Sequence, residues 1–282
     1  MQVYKQMDIG TAKIKKEQMQ GVTHYMIDEW NPDEEFNVMI FQKRVKKIME
    51  DIYNRGKIPI LVGGTGFYIQ AVLNDIAFTK EKQGDEIRAD LQNLAKEKGA
   101  SYLHHELQKV DKESAEAIHP NNIKRVIRAL EYFQSTGQKF SDHNKEERQK
   151  SSPYNFLYLV LTMNRKVLYE RIDKRVDQMM EEGLVKEVKQ LLDAGYSRNL
   201  VSMQGLGYKE IASALFKECT MEEAVYRLKR DTRHFAKRQM TWFRRERDVT
   251  MINKDNFSNN HEIVNYIMKL AVEKGICSCR EG

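Results

Sequence analysis

Gly63, Gly64, Thr65 and Gly66 follow the apolar run Lys57–Val62 and precede a helical pattern, "ILVGGTGFYIQAVL". Glycines at such a turn let backbone N–H groups approach an anion, and the following helix N-terminus adds a favourable dipole. A tight turn between strand and helix explains the same residues. It is not a Walker A loop, since no Lys-Ser or Lys-Thr follows, and G-x-x-x-x-G-K-[ST] occurs nowhere in the chain.

Three further stretches carry clustered charge. Arg171 and Arg175 stand at i, i+4 on one helix face beside the apolar stripe Leu168, Ile172, Val176 and Met179. Two guanidiniums so placed suit a pyrophosphate clamp; Asp173 and Asp177 could instead neutralise them as surface pairs. "NNIKRVIRALEYF" puts Lys124, Arg125 and Arg128 on one side of a helix and Ile123, Ile127 and Leu130 on the other, which fits a solvated face or phosphate contacts. From Arg227 to Arg247 nine Lys or Arg residues face only two acids, with Phe235, Trp242 and Phe243 interleaved. That density suits polynucleotide phosphates, while the aromatics suit core packing better than base stacking. "SMQGLGYKE" fits a loop entering a helix.

The elements that must position these residues alternate. Val38, Phe41, Val45, Ile48 and Ile52 recur at helical spacing up to Gly56, and Lys57–Val62 then has the composition of a buried parallel strand. Val22–Asp28 is a plausible earlier strand, and another helix starts near Gly66, giving a βαβ rhythm. Further strands are expected in Asn155–Met163 and Val249–Asn253, and long helices in 165–182 and 221–247. Between residues 80 and 151 strand signals vanish and charged helical patterns dominate. The expected organisation is an α/β core of 1–79 and 152–282 with a helical insertion of 80–151.

With 282 residues, 41% hydrophobic and 31% charged, the chain can bury a sizeable core and has no apolar run long enough to span a bilayer. The formal charge is +6, and its placement matters more than its total. Cys219, Cys277 and Cys279 support neither a zinc site nor a disulfide framework, and the histidines, His104-His105 included, lack a metal-ligand partner set. No secretory segment is evident, which agrees with a reducing cytoplasm. The closing "GICSCREG" has the character of a frayed tail.

"MQVYKQMDIGTAK", "LVGGTGFY", "HPNNIKRVIRALE", "RVDQMMEEGL", "QGLGYKE" and "AKRQMTWFR" stand in the order and spacing of the tRNA dimethylallyltransferases, and the chain resembles that family over nearly its whole length. The resemblance implies a P-loop NTPase-like parallel sheet with a helical insertion domain and a helical C-terminal part. It implies transfer of a dimethylallyl group from dimethylallyl diphosphate, assisted by Mg²⁺, to N6 of adenosine 37 in the anticodon loop of tRNAs reading codons that begin with U. In the family an Asp-Ser pair stands directly before the opening stretch, the Asp serving as general base, with a strand and P-loop further upstream. Both fall before Met1, so the expectation is a truncated and impaired chain.

Carried over by position, Thr65 lies beside the reacting centre, and Arg171 and Arg175 lie near the diphosphate. Contacts to the tRNA anticodon stem-loop fall on Met1, Gln2, Thr65, Arg88, Lys124, Arg125, Val126, Ile127, Arg128, Gln204, Gly205, Leu206, Gly207, Tyr208 and Lys209. The basic helix adds Arg238 and Arg244. No protein metal ligand is expected, nor any membrane partner, and a monomer is expected. A dimethylallyltransferase acting on free adenine nucleotide, a nucleoside kinase of related fold and a non-catalytic tRNA-binding remnant are the competing readings.

Overall fold

The computed structural model describes residues 1–78 and 84–278. Expectations that fall on 79–83 and 279–282, namely the 79/80 boundary, Cys279 and the end of the tail, lie outside the described residues. The chain forms two compact units, one of Met1–Ile69 with Asn155–Gly282 and one of Gln70–Tyr154. Among the described residues no helix is long and apolar enough to cross a membrane.

In the first unit, α1 (Val38–Asn54) is capped by Asn37, whose side chain accepts from the N–H groups of Met39 and Ile40. Gly56, at φ 64°, supplies the left-handed turn that ends it. Helix α2 (Gly66–Leu73) crosses the boundary between the units. The strands β1 (Tyr158–Thr162) and β2 (Val249–Asn253) pair in parallel, Tyr158 opposite Val249 through Thr162 opposite Asn253. Parallel strands need a long crossover, which here holds α8 (Arg165–Glu182), α9 (Leu184–Asp193), α10 (Tyr208–Leu215) and α11 (Met221–Phe243). The chain ends in α12 (Asn260–Glu273). The principal core gathers Val3, Tyr4 and Met7 of the opening segment against Val176, Leu184, Val188 and Leu191, with Tyr208 and Ile211 beside them.

Two expected strands do not form. Lys57–Val62 carries no strand pairing, and Ile60 and Val62 are 83% and 87% exposed. An apolar run becomes a buried strand only when a neighbour takes up its N–H and C=O groups, and no such neighbour stands among the described residues. Val22–Asp28 is irregular, because Met26 (φ 64°) and Asp28 (φ 56°) adopt left-handed backbone that breaks an extended run. The last expected helix ends at Phe243, short of Arg247.

The second unit is helical: α3 (Gly84–Lys98), α4 (Ala100–Val110), α5 (Lys112–Ala117), α6 (Ile123–Thr136) and α7 (Phe140–Gln149). Leu91, Leu103, Leu107, Val126, Ile127 and Leu130 form its core. Asp111 caps α5 and reaches the start of α7, accepting from Ser114 N–H (3.0 Å), Ser114 Oγ (2.6 Å) and Ser141 N–H (2.8 Å). Burial would raise its carboxyl pKa, but these hydrogen bonds prevail and hold it below the ordinary range. Its stabilising contribution is therefore present above the unfolded carboxyl's pKa and is lost as pH falls through the depressed folded value. Asp111→Ala should destabilise this unit by about 1–3 kcal/mol. Denaturant unfolding at neutral pH checks this, and the difference from the parent should shrink on acidification.

Candidate functional site

The opening stretch folds back on itself. Lys5 N–H donates to Trp30 C=O (2.8 Å), Trp30 N–H donates to Val3 C=O (3.0 Å), and Tyr4 and Trp30 form an isolated parallel bridge. Gln2 Nε2 donates to the carbonyls of Thr11 (3.2 Å) and Ala12 (2.9 Å), so this side chain is occupied in closing the loop. Lys13 is buried between Asp8 (2.6 Å), Asp28 (2.5 Å) and the Tyr4 carbonyl (2.7 Å).

A carboxylate from α9 anchors the whole segment. Glu187 accepts from the N–H groups of Asp8 (2.9 Å), Ile9 (2.8 Å) and Gly10 (3.1 Å) and from the Tyr208 hydroxyl (2.7 Å). Tyr208 has no exposed surface. Burial first, and then the Glu187 charge and hydrogen bond, push its phenol far above the ordinary value, so it stays a donor at any working pH. The fit is close: a Cβ on Gly10 would meet the Tyr208 ring at 2.6 Å, and one on Gly205 would meet Met1 Cε at 2.7 Å. Gly207, at φ 94°, lies 3.7 Å from Gly10 Cα, measured from where its own Cβ would stand. The stretches that contain Met1-Gln2 and Gln204–Lys209 are thus packed into one surface. Gln204 and Lys209 are exposed on it, whereas Gly207 and Tyr208 are buried and Leu206 is half-buried. The expected contact role of Tyr208 is corrected by its burial: it holds the surface from beneath.

An aromatic cluster ties this surface to the glycine-rich turn. Phe36 lies 4.9 Å from Trp30 and 6.4 Å from Tyr68 of α2, and Phe41 lies 5.0 Å from Tyr68 (ring centroids). Burial raises the phenol pKa of both Tyr4 and Tyr68. The glycines of the turn have a reason that the sequence did not show. Gln239 Nε2 of α11 donates to the Gly64 carbonyl at 2.8 Å, and a Cβ on Gly64 would meet that nitrogen at 2.0 Å. A Cβ on Gly66 would meet the Trp242 ring at 2.1 Å. The Trp242 ring demands glycine at 66, while a side chain at 64 would displace the end of Gln239 from its hydrogen bond. Thr65, between them, is exposed.

The acids of α8 are used differently from the surface-pair expectation. Asp173 pairs with Arg233 (2.5 Å) and Asp177 with Lys229 (2.6 Å), both on α11. Arg171 and Arg175 are exposed and have no acidic partner among the described residues. The basic run divides in the same way. Arg227 pairs with Glu223 and Arg230 with Asp231, but Lys237, Arg238, Arg244 and Arg245 have no acidic partner among the described residues. Arg238 lies 5.8 Å from the Phe235 ring centroid; Phe235 and Trp242 are partly exposed while Phe243 is buried.

In the helical unit, Lys124 and Arg125 are exposed, and Arg88 and Arg128 converge on Glu131. Val126 and Ile127 are core residues. Direct side-chain contact with RNA is closed to them, and they seat the helix that carries their basic neighbours. Among the described residues no group of three or more His, Cys, Asp or Glu could hold a metal ion.

Glu187 and Glu131 were missed by sequence reasoning. The available signal was an acid on the apolar side of an amphipathic helix: Leu184, Glu187, Val188 and Leu191 share one face, as do Ile127, Leu130 and Glu131.

These elements make a helix-rich α/β protein with a small parallel sheet. The chain belongs to the IPP transferase family, whose model matches residues 2–246. A tRNA dimethylallyltransferase of Lachnoclostridium phytofermentans is 56% identical over 276 residues, covering 98% of this chain and 88% of the relative. One from Acetivibrio thermocellus is 49% identical over 264 residues, covering 94% and 84%. Among solved structures, the full-length tRNA isopentenylpyrophosphate transferase of Bacillus halodurans is similar with a TM-score of 0.70 at 44% identity, over 97% of this chain and 86% of that one. A eukaryotic dimethylallyltransferase acting on tRNA gives 0.79 at 28% identity, over 95% and 71%.

Replacing Glu187 by Ala would strand three N–H groups and one buried hydroxyl. At about 1–3 kcal/mol for each buried donor left unsatisfied, the loss should exceed about 3 kcal/mol. Denaturant unfolding measures it, and a loss below about 1 kcal/mol would mean that the carboxylate is not the anchor.

Proposed function

We propose that this protein transfers a dimethylallyl group from dimethylallyl diphosphate to N6 of adenosine 37 in the anticodon loop of tRNA, as a monomer. The observation that carries the reading is the exposed, acid-free pair Arg171 and Arg175 in a chain of this family. The two nearest aspartates of their own helix are engaged by α11. Two exposed cations one helical turn apart, with no acidic partner among the described residues, suit a leaving diphosphate, because charge builds on it as the bond to C1 breaks. In the step itself the N6–C1 bond forms, the C1–O bond breaks with its electron pair going to the diphosphate, and the N6 proton passes to water.

Thr65 is assigned a place beside the reacting centre. Its exposure at the start of α2, in a turn fixed by Gln239 and Trp242, supports that assignment. Gln204 and Lys209 on the surface held by Glu187, Lys124 and Arg125 in the helical unit, and Arg238 and Arg244 on and just after α11 are assigned to tRNA phosphates. Such contacts set position without reading sequence. The P-loop NTPase-like frame belongs to the same proposal, supported by the parallel pairing of β1 and β2 around a helical crossover. Magnesium is assigned to the diphosphate substrate, whose oxygens would hold it together with water and at most one or two protein oxygens.

The direct test incubates the full gene product with unmodified tRNA, dimethylallyl diphosphate and magnesium, with AMP as the alternative acceptor, and analyses the nucleosides by mass spectrometry. Dimethylallyl-adenosine in tRNA is the expected result; transfer to AMP alone would replace the acceptor. Thr65→Ala should slow transfer on the order of tenfold or more with little change in melting temperature. Arg238→Ala with Arg244→Ala should weaken tRNA binding and lower the log–log salt slope by about 1–2. An unchanged slope would remove α11 from the RNA surface.

A further inference from the structure

The geometry points to Gln239 of α11 as a positioning residue that clamps the backbone just before Thr65 and so fixes where the reacting turn stands. This deepens the transferase reading above and rests on it. Gln239 Nε2 donates to the Gly64 carbonyl at 2.8 Å. Three residues further along α11, the Trp242 ring lies 2.1 Å from where a Cβ on Gly66 would stand. Residues three apart share a helix face. One face of α11 therefore holds the turn on both sides of Thr65, which itself stays exposed.

The two sides are not equivalent. After Thr65 the chain is already held, because the Thr65 carbonyl accepts from the N–H groups of Tyr68 (3.0 Å) and Ile69 (3.3 Å) as α2 begins. Before it, Lys57–Val62 carries no strand pairing. Among the described residues the Gln239 bond is the only hydrogen bond that reaches the backbone of 58–64. Without that bond Thr65 would be anchored from one side alone, and a displacement of about 1 Å near a reacting group can cost on the order of a hundredfold in rate. Gln239 also directly follows Arg238, which is assigned to tRNA phosphate, so the helix that meets RNA is the one that sets the turn.

The alternative is that this bond is ordinary packing between α11 and the turn, felt in stability and not in catalysis. Gly64 separates the two. Its φ is not left-handed, and the three atoms nearest to a Cβ built there all belong to Gln239: Nε2 at 2.0 Å, Cδ at 3.2 Å and Oε1 at 3.8 Å. A methyl group at 64 therefore displaces the end of a flexible side chain and breaks its bond, with no other close contact. In a Gln239→Ala background the same methyl group meets nothing closer than ordinary van der Waals distance. The two substitutions remove one and the same interaction.

The experiment measures kcat, KM for dimethylallyl diphosphate and affinity for unmodified tRNA in the full gene product, in Gln239→Ala, in Gly64→Ala and in the double variant. Each single change is expected to lower kcat roughly tenfold or more, with KM and tRNA affinity within about twofold of the parent. The double variant is expected to match the single ones, since the second change removes what the first has already lost. Parent-like kcat in Gln239→Ala, or losses that multiply in the double variant, would overturn the inference and leave the transferase reading intact. So would weaker tRNA binding at unchanged kcat, which would make Gln239 an RNA contact. Absence of transfer by the parent would overturn that reading, and this inference with it. Should Gln239→Ala fail to unfold cooperatively, Gly64→Ala decides by the same kcat criterion, because it leaves every side chain of α11 in place.

Discussion

The carboxylate of Glu187 is the interaction on which the rest of the site depends. Taking an ionised carboxylate out of water costs several kcal/mol unless donors replace the lost hydration. Here four do: three consecutive N–H groups from residues 8–10 and the Tyr208 hydroxyl. Three successive amides can converge on one anion only if the backbone wraps around it, so the charge dictates the path of the opening segment. Tyr208, the fourth donor, begins α10 and fixes the position of the loop before it. One side chain on α9 thus sets the relation between two stretches almost two hundred residues apart in sequence. The requirement for glycine at 10 follows, because a Cβ there would push the Tyr208 ring away from the carboxylate, whereas Gly207 is required by its left-handed φ of 94°.

A second constraint is the allocation of acids along α8 and α11. Arg171, Asp173, Arg175 and Asp177 look self-neutralising when α8 is considered alone. Packing against α11 changes that, because Lys229 and Arg233 take both aspartates. Exposed ion pairs contribute little to stability, so these pairs matter less for holding the helices together than for what they leave over. Among the described residues, the cations without an acidic partner include Arg171 and Arg175 on α8 and Lys237, Arg238, Arg244 and Arg245 on and just after α11. Net charge says only that cations are in excess; the packing decides which ones are available.

Elements with their own period or their own partner were legible in the sequence. The strands at 158–162 and 249–253 pair with each other, and the helices 38–54 and 165–182 have apolar faces and clear caps. Lys57–Val62 was misread because a strand's identity depends on its neighbour: the composition is right, but the pairing that would make it a strand is absent among the described residues. The turn at 63–66 was located correctly, while the cause of two of its glycines was not, since the approach of Gln239 and Trp242 spans more than 170 residues of sequence. Arg171 and Arg175 stand out by type and spacing, and Thr65 by the family resemblance. Their exposure, and the diversion of the neighbouring aspartates, depend on tertiary packing and could not be read from one strand of text.

The two buried glutamates show the same limit from the opposite side. A Glu in a charged helix is normally solvated, and composition gives no reason to single out 131 or 187 among so many acids. Each nevertheless lies on the apolar face of its helix, where an unpartnered carboxylate would be prohibitively costly. Burial there implies donors, and the donors must come from elsewhere in the chain: backbone amides and a phenol at Glu187, guanidiniums at Glu131. The kind of donor separates the two outcomes. Neutral donors leave the anion's charge in place and yield a rigid scaffold, as beneath the opening segment. Cationic donors cancel it and join the helices that carry them, as α3 and α6 are joined at Glu131. An acid on an apolar helix face is therefore a sequence signal for an organising centre, and the groups it gathers determine whether that centre shapes the backbone or joins helices.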